Sequence, residues 1–301
     1  MMASVIQGSL SRPSMMPVEF TLQNLLASQS VIYRTRLSNT MEQSPYYTIP
    51  KIDLTAKSLL MLAQFGFFCV FAYWGYEDAQ TTADWIFPVI MILGGTSLYL
   101  SIPNSRIGVT LGIPAIMVLW GAIEGEPEVA GWAIFFALVA GSLAYLPALA
   151  IGDDSLGLDE GTSRKRFGIL YAVFALFMVI MFSVLMPSAM DGEFKDEDGD
   201  EDVVYTLDST EQTIAQVGFA FGIMGILIFA GTALLGLEIN PLRPWHGGAL
   251  LSGAVFVDSY LWYTVADSGV GDVFFALAAG GIFTLSACIA YEGDHSSDES
   301  E

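Results

Sequence analysis

Charge is what this sequence has least of, and positive charge most of all. Only 14% of its 301 residues are charged against 53% hydrophobic, and 11 Lys and Arg stand beside 32 Asp and Glu. A soluble domain carries about a quarter charged residues, so the composition excludes an ordinary soluble globule. A formal net charge of −21 excludes a nucleic-acid-binding surface, because such a field repels phosphate.

Cysteine and histidine are scarce too, with two of each. Cys69 and Cys288 lie inside apolar runs without CxxC or Cys/His-cluster spacing, which leaves a disulfide, a metal centre and thiol redox chemistry without support. The chain has no Walker loop, GxGxxG, HExxH or GxSxG, and no credible Ser/His/Asp set. No cofactor and no metal are implied, and no motif assigns an enzyme.

What the sequence has in abundance is long apolar runs. A helix needs ~20 residues to cross ~30 Å of hydrocarbon. Eight runs approach that length: Ser58 to Tyr76, Trp85 to Ile102, Ile107 to Ile123, Gly131 to Ile151, Phe167 to Pro187, Ile214 to Leu237, His246 to Ala266 and Asp272 to Tyr291. The third is short, and its start is expected nearer Pro103. Backbone polar groups must be paired in lipid, and the alternation of a membrane barrel is absent, so the runs predict an all-α, polytopic protein of eight transmembrane helices.

Charge placement predicts an orientation. With a cytoplasmic N-terminus, Arg12, Arg34, Arg36, Lys51, Lys57, Arg106, Arg164, Lys165, Arg166 and Arg243 all fall on the inner side, leaving Lys195 as the one basic residue outside. Both termini then lie in the cytoplasm and the protein sits in the cell membrane. The outer segments hold Glu77, Asp78, Asp84, Glu124, Glu126, Glu128, Asp267, Asp272 and the acids between Asp191 and Glu211. An acidic outer face suits a salty habitat; its sharper reading is the gathering of cations.

The chain reads as segments 1–56 (N-terminal, cytoplasmic), 57–152 (first four-helix unit), 153–166 (cytoplasmic linker), 167–291 (second four-helix unit with an acidic outer loop at 188–213) and 292–301 (acidic tail). Residues 1 to 40 hold three Arg and one Glu, unlike the acidic remainder. Met41 opens "MEQSPYYTIP", a stretch as acidic and Pro-punctuated as the rest of the chain, and is therefore an alternative start. The two units suggest a tandem duplication. "FFALVAG" at 135–141 returns as "FFALAAG" at 274–280, Gly95-Thr96 as Gly231-Thr232, and Leu119-Trp120 as Leu261-Trp262, at spacings of 139, 136 and 142 residues. An even number of crossings per unit gives both repeats the same orientation. Phe, Ala, Leu and Gly are the common alphabet of membrane helices, which is the competing explanation.

The insertion "DGEFKDEDGDEDVVYTLDSTEQ" at 191–212 is dense in acid, but counting an EF-hand from Asp196 puts Glu201 where glycine is required, so a solvated loop is expected.

Asp258 is the one acid deep within an apolar run. An Asp at the bilayer centre costs about 2.5 to 3.5 kcal/mol on insertion scales, so it must face protein or water, paired or protonated. No Lys or Arg lies within any run, which leaves Gln64, Gln216, Thr284 or a tyrosine as neutral partners. Asp258 is the intramembrane proton or cation candidate, or else a helix-to-helix hydrogen bonder. Its counterpart in the first repeat is Ile116. Gly248, Ser252, Ser259 and Tyr263 share a neighbouring polar face at ~100° per residue. Small residues spaced by four, Gly218/Gly222, Gly248/Ser252, Ala276/Gly280/Thr284 and Ala133/Ala137/Gly141, permit close helix packing.

In the linker "GDDSLGLDEGTSRKRF", Asp153, Asp154, Asp159 and Glu160 raise a Mg²⁺-dependent lipid-modifying enzyme as an outlying possibility. Arg164, Lys165 and Arg166 are explained by topology, at a place where anionic lipid headgroups lie within reach. In "INPLRPWHGG", Pro241 and Pro244 mark a turn, and His246 beside Trp245 reads as an interfacial hydrogen bonder. His295 falls in a tail that reads as disordered.

The functional expectation is a transporter-like protein for a small solute or ion, linked to proton or ion movement. Its alternative is a structural or accessory subunit. The expected partners are the lipid bilayer and either a homo-oligomer or a membrane complex.

Overall fold

A computed structural model describes residues 54–77, 79, 84–125, 127–181, 193–194, 203–204, 207–265 and 269–293, all within the unit Tyr47–Glu301. Residues 1–53, Met41 among them, lie outside the described residues, as do His295 and most of the acidic insertion.

Among the described residues eight long helices follow one another: α1 Ala56–Glu77, α2 Ile86–Tyr99, α3, α4 Pro127–Ala150, α5 Glu160–Ile180, α6 Ser209–Phe229, α7 Pro244–Val265 and α8 Gly271–Glu292. Helix α3 runs through Ser105–Ile107, a π-helical stretch Gly108–Gly112, and Ile113–Glu124; α6 continues into a second π stretch, Ala230–Leu234. The β structure among the described residues is one antiparallel pair, β1 Glu193–Phe194 with β2 Val203–Val204.

Among the described residues five helical spans are long and apolar enough to cross a membrane: Ala56–Glu77, Ser105–Ile123, Ala133–Ala150, Ser209–Leu234 and Gly271–Glu292. With the composition, that is the make-up of a protein that sits in a lipid bilayer. Each of the eight predicted runs contains a helix, and α2 and α5 differ from the expected spans. Helix α2 has 14 residues, because Ser101 and Asn104 turn the chain at φ of 50° and 62° around Pro103. Helix α5 begins ahead of its apolar run: Asp159 caps it by accepting from the Thr162 backbone N–H, so Arg164, Lys165 and Arg166 lie in the first turns of the helix. Helix α7 spans its expected run and carries Asp258.

Helix α8 is the spine. It packs broadly on both α7 and α1, and contributes to two aromatic clusters. Phe275 joins Phe67, Phe71 and Trp74 of α1 toward one end. Phe283 joins Tyr171 and Phe174 of α5 toward the other, where Tyr171 stacks on Phe229 at 4.0 Å between centroids. In lipid, apolar burial adds little between helices, so close packing and hydrogen bonds hold them.

Neighbouring helices alternate in direction. Gly168 at the start of α5 lies beside Leu234 at the end of α6 and Tyr291 at the end of α8. Arg106 at the start of α3 reaches Asp153 just past α4. At the opposite end, Gly271 of α8 meets Trp74 of α1, and Tyr76 packs on Trp85. The basic residues among those described, Lys57, Arg106, Arg164, Lys165, Arg166 and Arg243, consequently gather at one end of the bundle.

Candidate functional site

Asp258 is 3% exposed, with α6 packed against it. The backbone of Gly218 lies so close that a methyl group there would sit 3.2 Å from Asp258 Oδ1 and 2.8 Å from Val257 Cγ1. Gly218, Gly222 and Gly225 recur at one face of α6 and are buried, while most of the helix is exposed. Gly222 meets Val179 of α5, and Gly225 meets Leu251 and the Gly247 carbonyl of α7. Bare backbone on that face lets α6 lie flat over Asp258.

Beside the carboxylate is a cavity of about 10 Å³ lined by Met178, Val179, Leu251, Ala254, Val255, Asp258 and Phe283. That is the space of about one water molecule. Among the described residues its walls, apart from the carboxylate, are apolar side chains from α5, α7 and α8.

Of the neighbouring polar face, Gly248, Ser252 and Ser259 are buried, and Tyr263 is 49% exposed and stands apart from them. The structure joins Gly248 and Ser252 into the α7–α8 seam. Ser252 Oγ lies 2.9 Å from the Gly248 carbonyl, 2.7 Å from the Gly280 carbonyl and 2.7 Å from Thr284 Oγ1. A methyl group at Gly248 would lie 2.6 Å from the Phe283 carbonyl oxygen, to which Tyr171 also donates at 2.9 Å. The α7–α8 seam is thus sealed by hydroxyls bound to backbone. Two of the expected partners of Asp258 are engaged elsewhere, Thr284 with Ser252 and Gln64 with the Leu143 carbonyl, and Gln216 is exposed.

Gln64 has a role that the sequence reading missed. Pro147 sits inside α4 and has no N–H for the carbonyl four residues back, that of Leu143. Gln64 Nε2 donates to that Leu143 oxygen at 2.6 Å. The amide of α1 therefore satisfies the one carbonyl that the proline orphans, and ties α1 to α4 in doing so. A proline and a glutamine in separate apolar runs were the available signal. On the same side of the molecule, Thr110 Oγ1 in the π stretch of α3 and Ser142 Oγ of α4 are buried and make no hydrogen bond.

The linker acids have structural work. Asp153 accepts from the Ser155 backbone N–H at 2.8 Å and pairs with Arg106, which also donates to Ser155 Oγ at 2.6 Å. Partial desolvation pushes the Asp153 carboxyl up, but the Ser155 hydrogen bonds and the Arg106 charge together outweigh it and hold the group below the usual range. Asp159 is likewise held low, chiefly by hydrogen bonds from the Thr162 side chain and backbone. Glu160 pairs with Arg164 at 2.7 Å, and Asp154 is exposed. Among the described residues no group of three or more His, Cys, Asp or Glu is placed to hold a metal ion. The Mg²⁺ arrangement is therefore not assembled here. His246 Nδ1 accepts from the Arg243 backbone N–H at 2.9 Å, with its ring stacked on Trp245. Cys69 and Cys288 are thiols and not a disulfide.

No protein-family model, no curated protein and no solved structure matches this chain.

Proposed function

We propose that this chain is a multi-pass membrane protein of transporter type, with Asp258 as the group that binds the moving proton or cation. The observation that carries this reading is the burial of Asp258, 3% exposed, where α5 and α8 line its cavity and α6 covers it, in a chain whose apolar runs hold no Lys or Arg. An ionisable group at that depth marks an ion or proton pathway by default.

The fuller architecture belongs to the same proposal: eight crossings in two tandem four-helix units, 57–152 and 167–291, both termini cytoplasmic in a cell membrane. The positive-inside alternation supports the orientation, and so does the gathering of basic side chains at one end of the bundle. The Phe-Phe-Ala-Leu match supports the duplication. Substituting cysteine singly at Lys165 and at Gly269 in a variant lacking Cys69 and Cys288 tests the orientation. An impermeant maleimide applied to intact cells should label position 269 and spare 165; the reverse pattern inverts the assignment.

The test of function is uptake by cells expressing Asp258→Asn at wild-type level. Uptake should be abolished, and retained uptake removes Asp258 from the mechanism.

A second reading, an accessory or structural subunit, draws on the same cavity, whose volume of about 10 Å³ admits no solute. Purification through a C-terminal tag in mild detergent decides for it if a partner appears at matched stoichiometry.

A further inference from the structure

We infer that the groove between α1 and α8 holds one acyl chain of a phospholipid whose headgroup carries an ammonium. This goes beyond the transporter reading and does not depend on Asp258. The groove measures about 520 Å³, and its lining includes Leu62, Gly66, Cys69 and Tyr73 of α1 with Gly271 and Ala278 of α8. That is more than three times the ~150 Å³ that takes up a benzene molecule, which is room for a hydrocarbon chain. Among the described residues the lining is apolar but for the Cys69 thiol and the Tyr73 hydroxyl. Phe274 and Leu277 also line it and are exposed, so the groove opens on the outer side of the helix pair. Both helices are long and apolar enough to cross a bilayer, so what that opening meets is lipid.

Length and charge say which lipid fits. From Leu62 to Tyr73 a helix rises about 16 Å at 1.5 Å per residue. One leaflet of a ~30 Å hydrocarbon core is about 15 Å deep, so the groove runs the length of one acyl chain. Its mouth is at Tyr73 and Gly271, near the end of α1 and the start of α8, away from the end where the basic side chains gather. Aromatic rings frame that mouth: a methyl group at Gly271 would lie 3.1 Å from Tyr73 Cε1, and the exposed Tyr76 packs edge-on against the exposed Trp85 at 5.2 Å between centroids. Such rings sit at headgroup level in a bilayer. Tyr73 donates to the exposed Glu77 carboxylate, and Asp78 and Asp84 follow in the chain, which holds no Lys or Arg between Lys57 and Arg106. Acids and open ring faces attract an ammonium and repel a net negative headgroup.

The test is native mass spectrometry of the full chain released from nanodiscs of equal parts phosphatidylethanolamine and phosphatidylglycerol with the same acyl chains. Wild type should keep one phospholipid per chain, the ethanolamine lipid over the glycerol lipid by roughly fivefold, the weight of one charge at a membrane surface. Glu77→Gln should bring that ratio close to one and leave a lipid bound. Gly66→Leu should lose the lipid, because a side chain started at Gly66 enters the groove and meets Ala278 Cβ only at 3.8 Å. Cys69→Leu fills the groove at another level and gives the same reading should Gly66→Leu fail to fold. Wild type without a retained lipid, equal retention by wild type and the filled variants, or a preference for the glycerol lipid overturns the inference. A lipid-free dimer that the filled variants break overturns it too, and gives the groove to a second copy of the chain.

Discussion

Under the proposed duplication helices α3 and α7 would be counterparts, matched by Leu119-Trp120 and Leu261-Trp262, yet the bundle treats them oppositely. Leu119 is 62% exposed and Leu261 1%; Ile116 is 37% exposed and its counterpart Asp258 3%. Helix α7 lies between α6 and α8 with backbones nearly touching, whereas α3 packs chiefly on α4 and leaves much of its surface outward. The difference shows that a shared sequence pattern does not fix a shared environment. The acid stands on the enclosed helix of the two, α7, and not on α3. At the Ile116 position it would face the outside of the bundle, where lipid would leave it unsolvated.

The contrast breaks most sharply at glycines. Gly248 stands against the Phe283 backbone, while Gly112 in α3 has nothing within 4 Å of where a side chain would start. Gly248→Leu should cost at least the ~3 kcal/mol upper end of overpacking, because the obstacle is backbone and cannot yield. In detergent, that variant should lose its monodisperse gel-filtration peak. Gly112→Leu should elute like wild type. Equal tolerance at both positions would erase the distinction between the two helices.

The first half is instead held by side chains that reach. Gln64→Leu leaves the Leu143 carbonyl unsatisfied and should destabilise by about 1 to 3 kcal/mol. In a Pro147→Ala background, residue 147 can supply its own N–H, so the same change should cost far less. Thermal melting of the four proteins measures the coupling, and strictly additive effects would dismiss the pairing.

A smaller effect attaches to the Arg106–Asp153 contact at the basic end, a partly exposed pair expected to contribute under about 1 kcal/mol. Asp153 is held below its ordinary value in the folded chain, so its contribution is complete above the unfolded carboxylate pKa of about 4 and fades as pH falls through the lowered value. Asp153→Asn should melt below wild type at pH 7, and the gap should close as the medium is acidified toward pH ~3. A gap that widens on acidification reverses the sign. The least effect is expected at Ser142, whose buried hydroxyl makes no hydrogen bond. Ser142→Ala should leave the melting temperature unchanged or raise it slightly, and a marked drop would reveal a partner for that oxygen.

The helices were legible in the sequence because apolar runs of crossing length admit few alternatives. Their ends were less so. The start of α5 depends on Asp159 capping a turn that apolarity does not mark, and the end of α2 on the turn around Pro103. Asp258 was legible as an outlier in composition, but its surroundings were not. That Gly218 covers it, and that Gln64 and Thr284 are spent elsewhere, depends on contacts between helices distant in the chain. Tyr263 shared a face with Ser252 by helical angle yet is exposed near the end of α7, because angle alone does not say where neighbouring helices stop.

The most direct measurement of the central claim is proton movement across sealed vesicles containing purified protein and a trapped pH-sensitive dye. Wild type should relax an imposed pH gradient, and Asp258→Asn at the same protein content should not exceed the rate of empty vesicles. Equal relaxation by the two proteins would contradict the assignment of Asp258 as the site through which this protein works.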